Sequence, residues 1–299
     1  MVSVLQTEGL TKHFGKFKAV DDLNLDVQEG DLYGFLGPNG SGKTTSMRMI
    51  LRLIRPTSGR VKVFGEDVQR NFISIMQRVG SLVELPAYYP YLSAVKNLEI
   101  LRLASGGVSP SRIPEVLESV GLGSRMHDRV GTYSQGMRQR LGLAMALLSK
   151  PRLVFLDEPT NGLDPQGINH IRGMIKELNR KDGVTFVISS HLLHEIELTC
   201  TRVGMLKQGK LLIQDTLDAI ISRTVNGLRI ACDPRDKAVG LLKGRDGVKD
   251  VRVEETGHLR VLCDAARFGE VNALLVGNGV TVSELTPVRQ TLEEFFLSR

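Results

Sequence analysis

The residues best equipped for chemistry in this 299-residue chain form one run, Gly37-Pro38-Asn39-Gly40-Ser41-Gly42-Lys43-Thr44-Thr45. It fits G-x-x-x-x-G-K-[ST], the pattern of a phosphate-binding loop. The glycines let the backbone curl closely enough for successive N–H groups to face phosphate oxygens. The Lys43 ammonium can reach the β- and γ-phosphates of a nucleotide, and the Thr44 hydroxyl can enter a Mg2+ shell. A second set stands where Leu153-Val154-Phe155-Leu156 ends in Asp157-Glu158. Asp157 would hold Mg2+ opposite Thr44, directly or through water, and Glu158 would orient and deprotonate an attacking water. The two runs together predict an ATPase site that takes ATP and Mg2+. A switch GTPase would need N-K-x-D for guanine, and the nearest string, Asn179-Arg180-Lys181-Asp182, does not match.

Several elements must position these groups. Leu32-Tyr33-Gly34-Phe35-Leu36 reads as a buried strand entering the loop. Residues 45–51 suit a helix leaving it, whose N-terminus adds positive potential beneath the phosphates. The apolar run before Asp157 reads as a second buried strand, with its acids at the C-terminal edge where open α/β sheets bind ligands. Asp164 can cap the next helix, with Pro165 in its first turn and Ile168, Ile171, Ile175 and Leu178 at helical spacing. A third strand, Val184-Thr185-Phe186-Val187-Ile188, leads to Ser189-Ser190-His191.

Alternation over Leu23-Asn24-Leu25-Asp26-Val27 and over Arg60-Val61-Lys62-Val63-Phe64 predicts half-buried strands. Phe14, upstream of the loop, is either a purine-stacking ring or a core aromatic. A short helix and the strand 78–83 precede a loop rich in Pro and Tyr, and residues 93–149 read as three helical segments, the third beginning near Ser134. A hairpin turns at Gln208-Gly209, and a helix from Thr216 to Arg223 closes the domain. Beyond residue 224 the order becomes strand, helix, strand, strand, helix, strand, over 227–232, 234–243, 248–254, 258–263, 266–275 and 279–283. That order suits a ferredoxin-like or split-βαβ unit. A last helix is expected after Pro287, with Val288, Leu292, Phe295 and Phe296 on one face.

Composition narrows the class. Hydrophobic content of 41% and charged content of 24% are those of an ordinary globular protein. No apolar run approaches the roughly 18 residues of a membrane span, and the first residues lack the pattern of a signal peptide. The three cysteines match no metal spacing, which suits a reducing compartment. The net charge of +6 is dispersed, so a solvated surface is expected and no nucleic-acid partner.

Thr132-Tyr133-Ser134-Gln135-Gly136-Met137-Arg138-Gln139-Arg140 begins a helix that Ser134 can cap, so that its hydroxyl and the helix N-terminus form an anion site. Lying between the phosphate loop and Asp157-Glu158, this segment resembles the L-S-G-G-Q signature of ABC transporter ATP-binding subunits. Ser134 and Gly136 are kept, while Tyr133, Gln135 and Met137 depart from it. Asn161-Gly162-Leu163-Asp164 resembles the D-loop, which implies that Asp164 lies near a subunit contact. The resemblance, over roughly residues 4–221, makes His191 the switch histidine that touches the γ-phosphate and Phe14 the base-stacking aromatic. His194 reads as surface. Glu84 stands where the family usually has Gln. With Pro86 and Tyr88-Tyr89-Pro90, it resembles the branch serving bacitracin resistance and lantibiotic immunity. A carboxylate there would bind Mg2+ more strongly than an amide oxygen and would repel the γ-phosphate.

What the resemblance implies is an α/β P-loop NTPase of ABC type over residues 1–223, with a RecA-like core, an antiparallel β-subdomain and a helical subdomain at 93–149. A small α+β accessory domain occupies 224–299. Two copies would pair head to tail, ATP on residues 37–45 of one being sealed by Ser134 and Gly136 of the other. An integral-membrane permease is the expected second partner, which places the chain on the inner face of the cell membrane, exporting a drug or antimicrobial peptide. The rival reading is a non-transport ABC ATPase acting on ribosomes or DNA. Against it stand the single cassette and the lack of long heptad insertions.

Overall fold

The structure, a computed structural model, describes residues 2–83 and 87–289, with side chains at all of these except 222–226, 265 and 289. Glu84 and the expected apolar face at Leu292, Phe295 and Phe296 lie outside the described residues. The chain divides into two units, Met1–Thr216 and Leu217–Arg299.

The first unit opens with β1 (Ser3–Phe14), β2 (Phe17–Leu23) and β3 (Asp26–Gln28), then β4 (Leu32–Leu36) and α1 (Lys43–Ile50). Strands β5 (Ser58–Val63) and β6 (Glu66–Asp67) complete an antiparallel sheet ordered β2-β1-β5-β6, with β3 also paired to β1. The expected strand through residues 23–27 is broken in two. The Thr7 hydroxyl accepts from Leu25 N–H and donates to Leu23 C=O, each at 2.8 Å, so a side chain meets the backbone needs of the break. Leu23, Leu25 and Val27 are still all buried, which is why the alternation shows through.

After α2 (Phe72–Met76) and β7 (Val79–Leu82) come three helices, α3 (Ala94–Ser105), α4 (Arg112–Ser119) and α5 (Gln135–Leu147). Then follow β8 (Leu153–Asp157), α6 (Pro165–Asp182), β9 (Thr185–Ser190), α7 (Leu193–Thr199), β10 (Arg202–Lys207) and β11 (Lys210–Thr216). The second sheet runs β11-β10-β4-β9-β8-β7, parallel except for the β10–β11 hairpin. All five residues of β4 and all six of β9 are buried, as expected of strands covered on both faces. The order sets β9 between β4 and β8, so the phosphate loop, the Asp157-Glu158 pair and His191 all leave the sheet at the same edge.

The second unit contains α8 (Leu217–Thr224), β12 (Val225–Asp233), α9 (Arg235–Leu242), β13 (Val248–Val253), β14 (Leu259–Cys263), α10 (Phe268–Gly277) and β15 (Thr281–Arg289). Its antiparallel sheet is ordered β13-β14-β12-β15 over a core that includes Leu228, Ile230, Leu242, Leu259 and Leu275. The expected helix after Pro287 is contradicted at its start. Pro287 and Val288 lie in β15, opposite Leu228 and Gly227. β15 is an edge strand, and an edge tolerates a residue with no N–H to give.

Candidate functional site

The phosphate loop is shaped by glycines at points of close approach. Gly42 sits at φ 104°, and a Cβ there would come within 2.6 Å of the Ala19 carbonyl on β2. From the other side the β10–β11 turn supports the loop, Gly209 N–H donating to Ser41 C=O at 2.9 Å. Gly40 turns at φ 79° with open space where a Cβ would point, and Pro38, Asn39 and Gly40 are exposed. The Ser41 hydroxyl is buried and has no hydrogen-bond partner among the described residues. A buried hydroxyl without a partner is costly, and a phosphate oxygen at the loop would relieve it. These features fit a nucleotide phosphate chain.

Lys43, the first residue of α1, is 6% exposed. Its Nζ donates to Gly37 C=O at 2.7 Å and to Pro38 C=O at 3.4 Å, and lies 3.5 Å from Glu158 Oε1. Thr44 Oγ1 donates to Asp157 Oδ2 at 2.8 Å, while Thr45 is half-buried in the same helix. In the β8–β9 register Asp157 faces Ser189, whose hydroxyl donates to Asp157 Oδ1 and accepts from Glu158 N–H at 2.9 Å. Glu158 has φ 48°, a left-handed conformation unusual for glutamate. Its carboxylate lies between Lys43 and His191, with His191 Nδ1 2.8 Å from Oε2. Lys43, Thr44, Asp157, Glu158 and His191, the residues expected from the sequence, all come together here. Ser189, the bridge among them, was not expected; its place at the end of a buried strand, two residues before His191, is the signal the sequence carries for it.

A second cluster forms around Ser134. The Ser134 hydroxyl caps α5 by accepting from Met137 N–H at 3.3 Å, and Asp164 Oδ1 caps α6 by accepting from Gly167 N–H at 2.9 Å. Ser134, Gly136 and Asp164 line one cavity of about 480 Å³, together with Arg140 and His170, and none of residues 37–45 lines it. Tyr133, in place of the usual leucine, stays buried. Its hydroxyl donates to Arg125 C=O at 2.7 Å, and burial raises its phenol above the ordinary range. The structure thus sets the expected residues in two groups within one chain. Phe14 belongs to neither. It is 51% exposed at the β1–β2 hairpin end, which rules out the core-aromatic alternative, and the Lys12 ammonium sits 5.1 Å from its ring centroid.

The family described as ABC transporter matches residues 20–161. Over 297 residues the chain is 43% identical to the bacitracin transport ATP-binding protein BcrA of Bacillus licheniformis, covering 99% of this chain and 97% of that protein. This chain belongs to the ABC transporter family. It is an ATP-binding, ATP-hydrolysing subunit that powers a transporter. The cassette is also 37% identical to the lantibiotic transport ATP-binding protein SrtF of Streptococcus pyogenes, over 72% of this chain and 92% of that one. Among solved structures, the ATP-binding cassette MJ0796, in a dimeric post-hydrolysis state with ADP and phosphate, matches with a TM-score of 0.64 and 26% identity. The match covers 71% of this chain and 98% of that one. Among the described residues no helix is long and apolar enough to cross a membrane.

Proposed function

We propose that this cassette drives export of an antimicrobial peptide or drug through a separate integral-membrane permease, as one half of a head-to-tail homodimer on the inner face of the membrane. The observation that carries its catalytic half is the contact of the Glu158 carboxylate with both Lys43 and His191, beside the Thr44–Asp157 pair. Residues 37–45 and the α1 N-terminus grip the phosphates of ATP, and Lys43 neutralises charge at the terminal phosphoryl group. The hard oxygens of Thr44 and Asp157, 2.8 Å apart, would hold Mg2+. Mg2+ held there would offset negative charge on the nucleotide phosphates. Glu158 accepts the proton of the attacking water, and His191 orients Glu158 and contacts the γ-phosphate. Phe14 stacks on adenine.

Ser134 and Gly136 meet the ATP held by the second copy, with Asp164 at the subunit contact. Two features support this: the Ser134 cluster is separate from residues 37–45 within one chain, and the cassette MJ0796 was solved as a dimer. Support for the cargo class comes from the relatives named for bacitracin and lantibiotic transport. The 224–299 domain acts as an accessory to the dimer. Its deletion is expected to weaken self-association, and unchanged self-association would refute that role. Glu84 couples the nucleotide to the permease with altered metal dependence, a role that unchanged transport and metal preference in Glu84→Ala would exclude.

The deciding experiment is Glu158→Gln. The variant should bind ATP, accumulate as a dimer and hydrolyse ATP at least about 100-fold more slowly, the lower range for loss of a general base. Normal turnover by it would remove Glu158 from the reaction.

A further inference from the structure

Gln135 stands at the first turn of α5, directly after the Ser134 cap. Its side chain lies over Gly162 in the turn that follows Glu158: a Cβ on Gly162 would fall 2.2 Å from Gln135 Nε2. Gly162 is at φ 73°, a conformation that favours glycine, and what overhangs it is the far end of an exposed side chain. A Cβ on Gly136 would meet Leu163 Cδ2 at 3.8 Å, so the helix start and the turn face each other at two places. The far end of the same turn is anchored to the catalytic strand, Asn161 N–H donating to Glu158 C=O at 3.1 Å. A continuous path therefore runs from Ser134 through Gln135, Gly162 and Asn161 to the Glu158 backbone.

We propose that Gln135 is a positioning residue that transmits engagement of the Ser134 helix end to Glu158 within the same chain. The inference rests on the reading above, in which Ser134 meets the second copy's ATP and Glu158 serves the chain's own. Under that reading Gln135 ties the two ATP sites of the dimer together. Gln135 acts through the reach of its exposed side chain, whose end lies against the turn at Gly162. Coupling carried by such a packed path runs equally in both directions for binding.

The test uses the full-length protein and two variants, Gln135→Gly and Gln135→Met. In the nucleotide-free chain, amide exchange over residues 160–164 should speed up at least about 5-fold in Gln135→Gly, the lower end of common coupling factors. Exchange over residues 37–45 should stay as in the wild type. In steady state kcat should fall by a similar factor while the affinity of the P-loop for a non-hydrolysable ATP analogue is unchanged. Gln135→Met, with the same reach and no amide, should restore both readouts. Unchanged exchange and kcat in Gln135→Gly would overturn the proposal, as would a Met variant as impaired as the Gly variant. If the wild-type protein shows no ATP turnover, the functional reading fails, and the exchange measurement still decides whether Gln135 holds the turn.

Discussion

The Glu158 carboxylate and the His191 imidazole meet at 2.8 Å across the ends of β8 and β9. The parallel register that sets Asp157 opposite Ser189 brings them together, and the left-handed backbone at Glu158 turns its side chain toward His191. A glutamate held on one side by an imidazole and on the other by Lys43 has few orientations left. That is the condition for placing a water in line with a phosphoryl group.

Replacing His191 with Ala should therefore lower kcat by about 100-fold, as expected when a proton acceptor loses its orientation, and weaken ATP binding to residues 37–45 far less. Single-turnover hydrolysis measured beside equilibrium nucleotide binding separates the two effects. Equal losses in both would show that His191 holds the nucleotide rather than Glu158.

Ser189 is fully buried and joins Asp157 to the Glu158 N–H. Ser189→Ala should destabilise the cassette by about 1–3 kcal/mol, because the Glu158 N–H loses its partner. It should also depress turnover, since the two acids are no longer held to a common group. Urea unfolding gives the first quantity, and a variant as stable as the wild type would argue against the bridge.

Phe14→Ala should weaken ATP binding by about 10-fold, the loss of roughly one stacked base at about 1–3 kcal/mol, whereas Phe14→Tyr should bind normally. Titration with a fluorescent ATP analogue checks this, and an Ala variant with full affinity would leave the half-exposed ring without a nucleotide role.

Cys200 is buried, its Sγ about 3.1 Å from where a Cβ on Gly34 would stand. Burial pushes its thiol up from the ordinary value of 9.0. The folded chain therefore keeps the proton at pH values where the unfolded chain loses it. The stability this contributes is complete below 9.0 and is lost as pH rises beyond it. Alkylation at pH 8 followed by mass spectrometry should leave Cys200 unmodified until denaturant is added. Rapid modification of the native protein would contradict its burial.

Much of the site could be read before folding, because a phosphate loop works through neighbours in sequence. Residues 37–45 must be contiguous to curl round an anion, and a strand ending in acids announces itself by four apolar residues before Asp157. Capping is equally local, so Ser134 and Asp164 were visible as helix starts, and both accept the N–H three residues on. Where local pattern misled, a distant group had changed the outcome. The Thr7 hydroxyl broke the strand near Asn24, and pairing with β12 drew Pro287 and Val288 into β15.

Only the tertiary structure decided which residues meet. Ser189 bridges Asp157 and Glu158, Gly209 supports Ser41, Ala19 confines Gly42, and Gln135 covers Gly162. None of these pairs is close in sequence. Sequence alone determined the chemical groups available and the local turns that present them. Strand register and packing determined their partners, because a contact between distant segments depends on how whole sheets and helices close against one another.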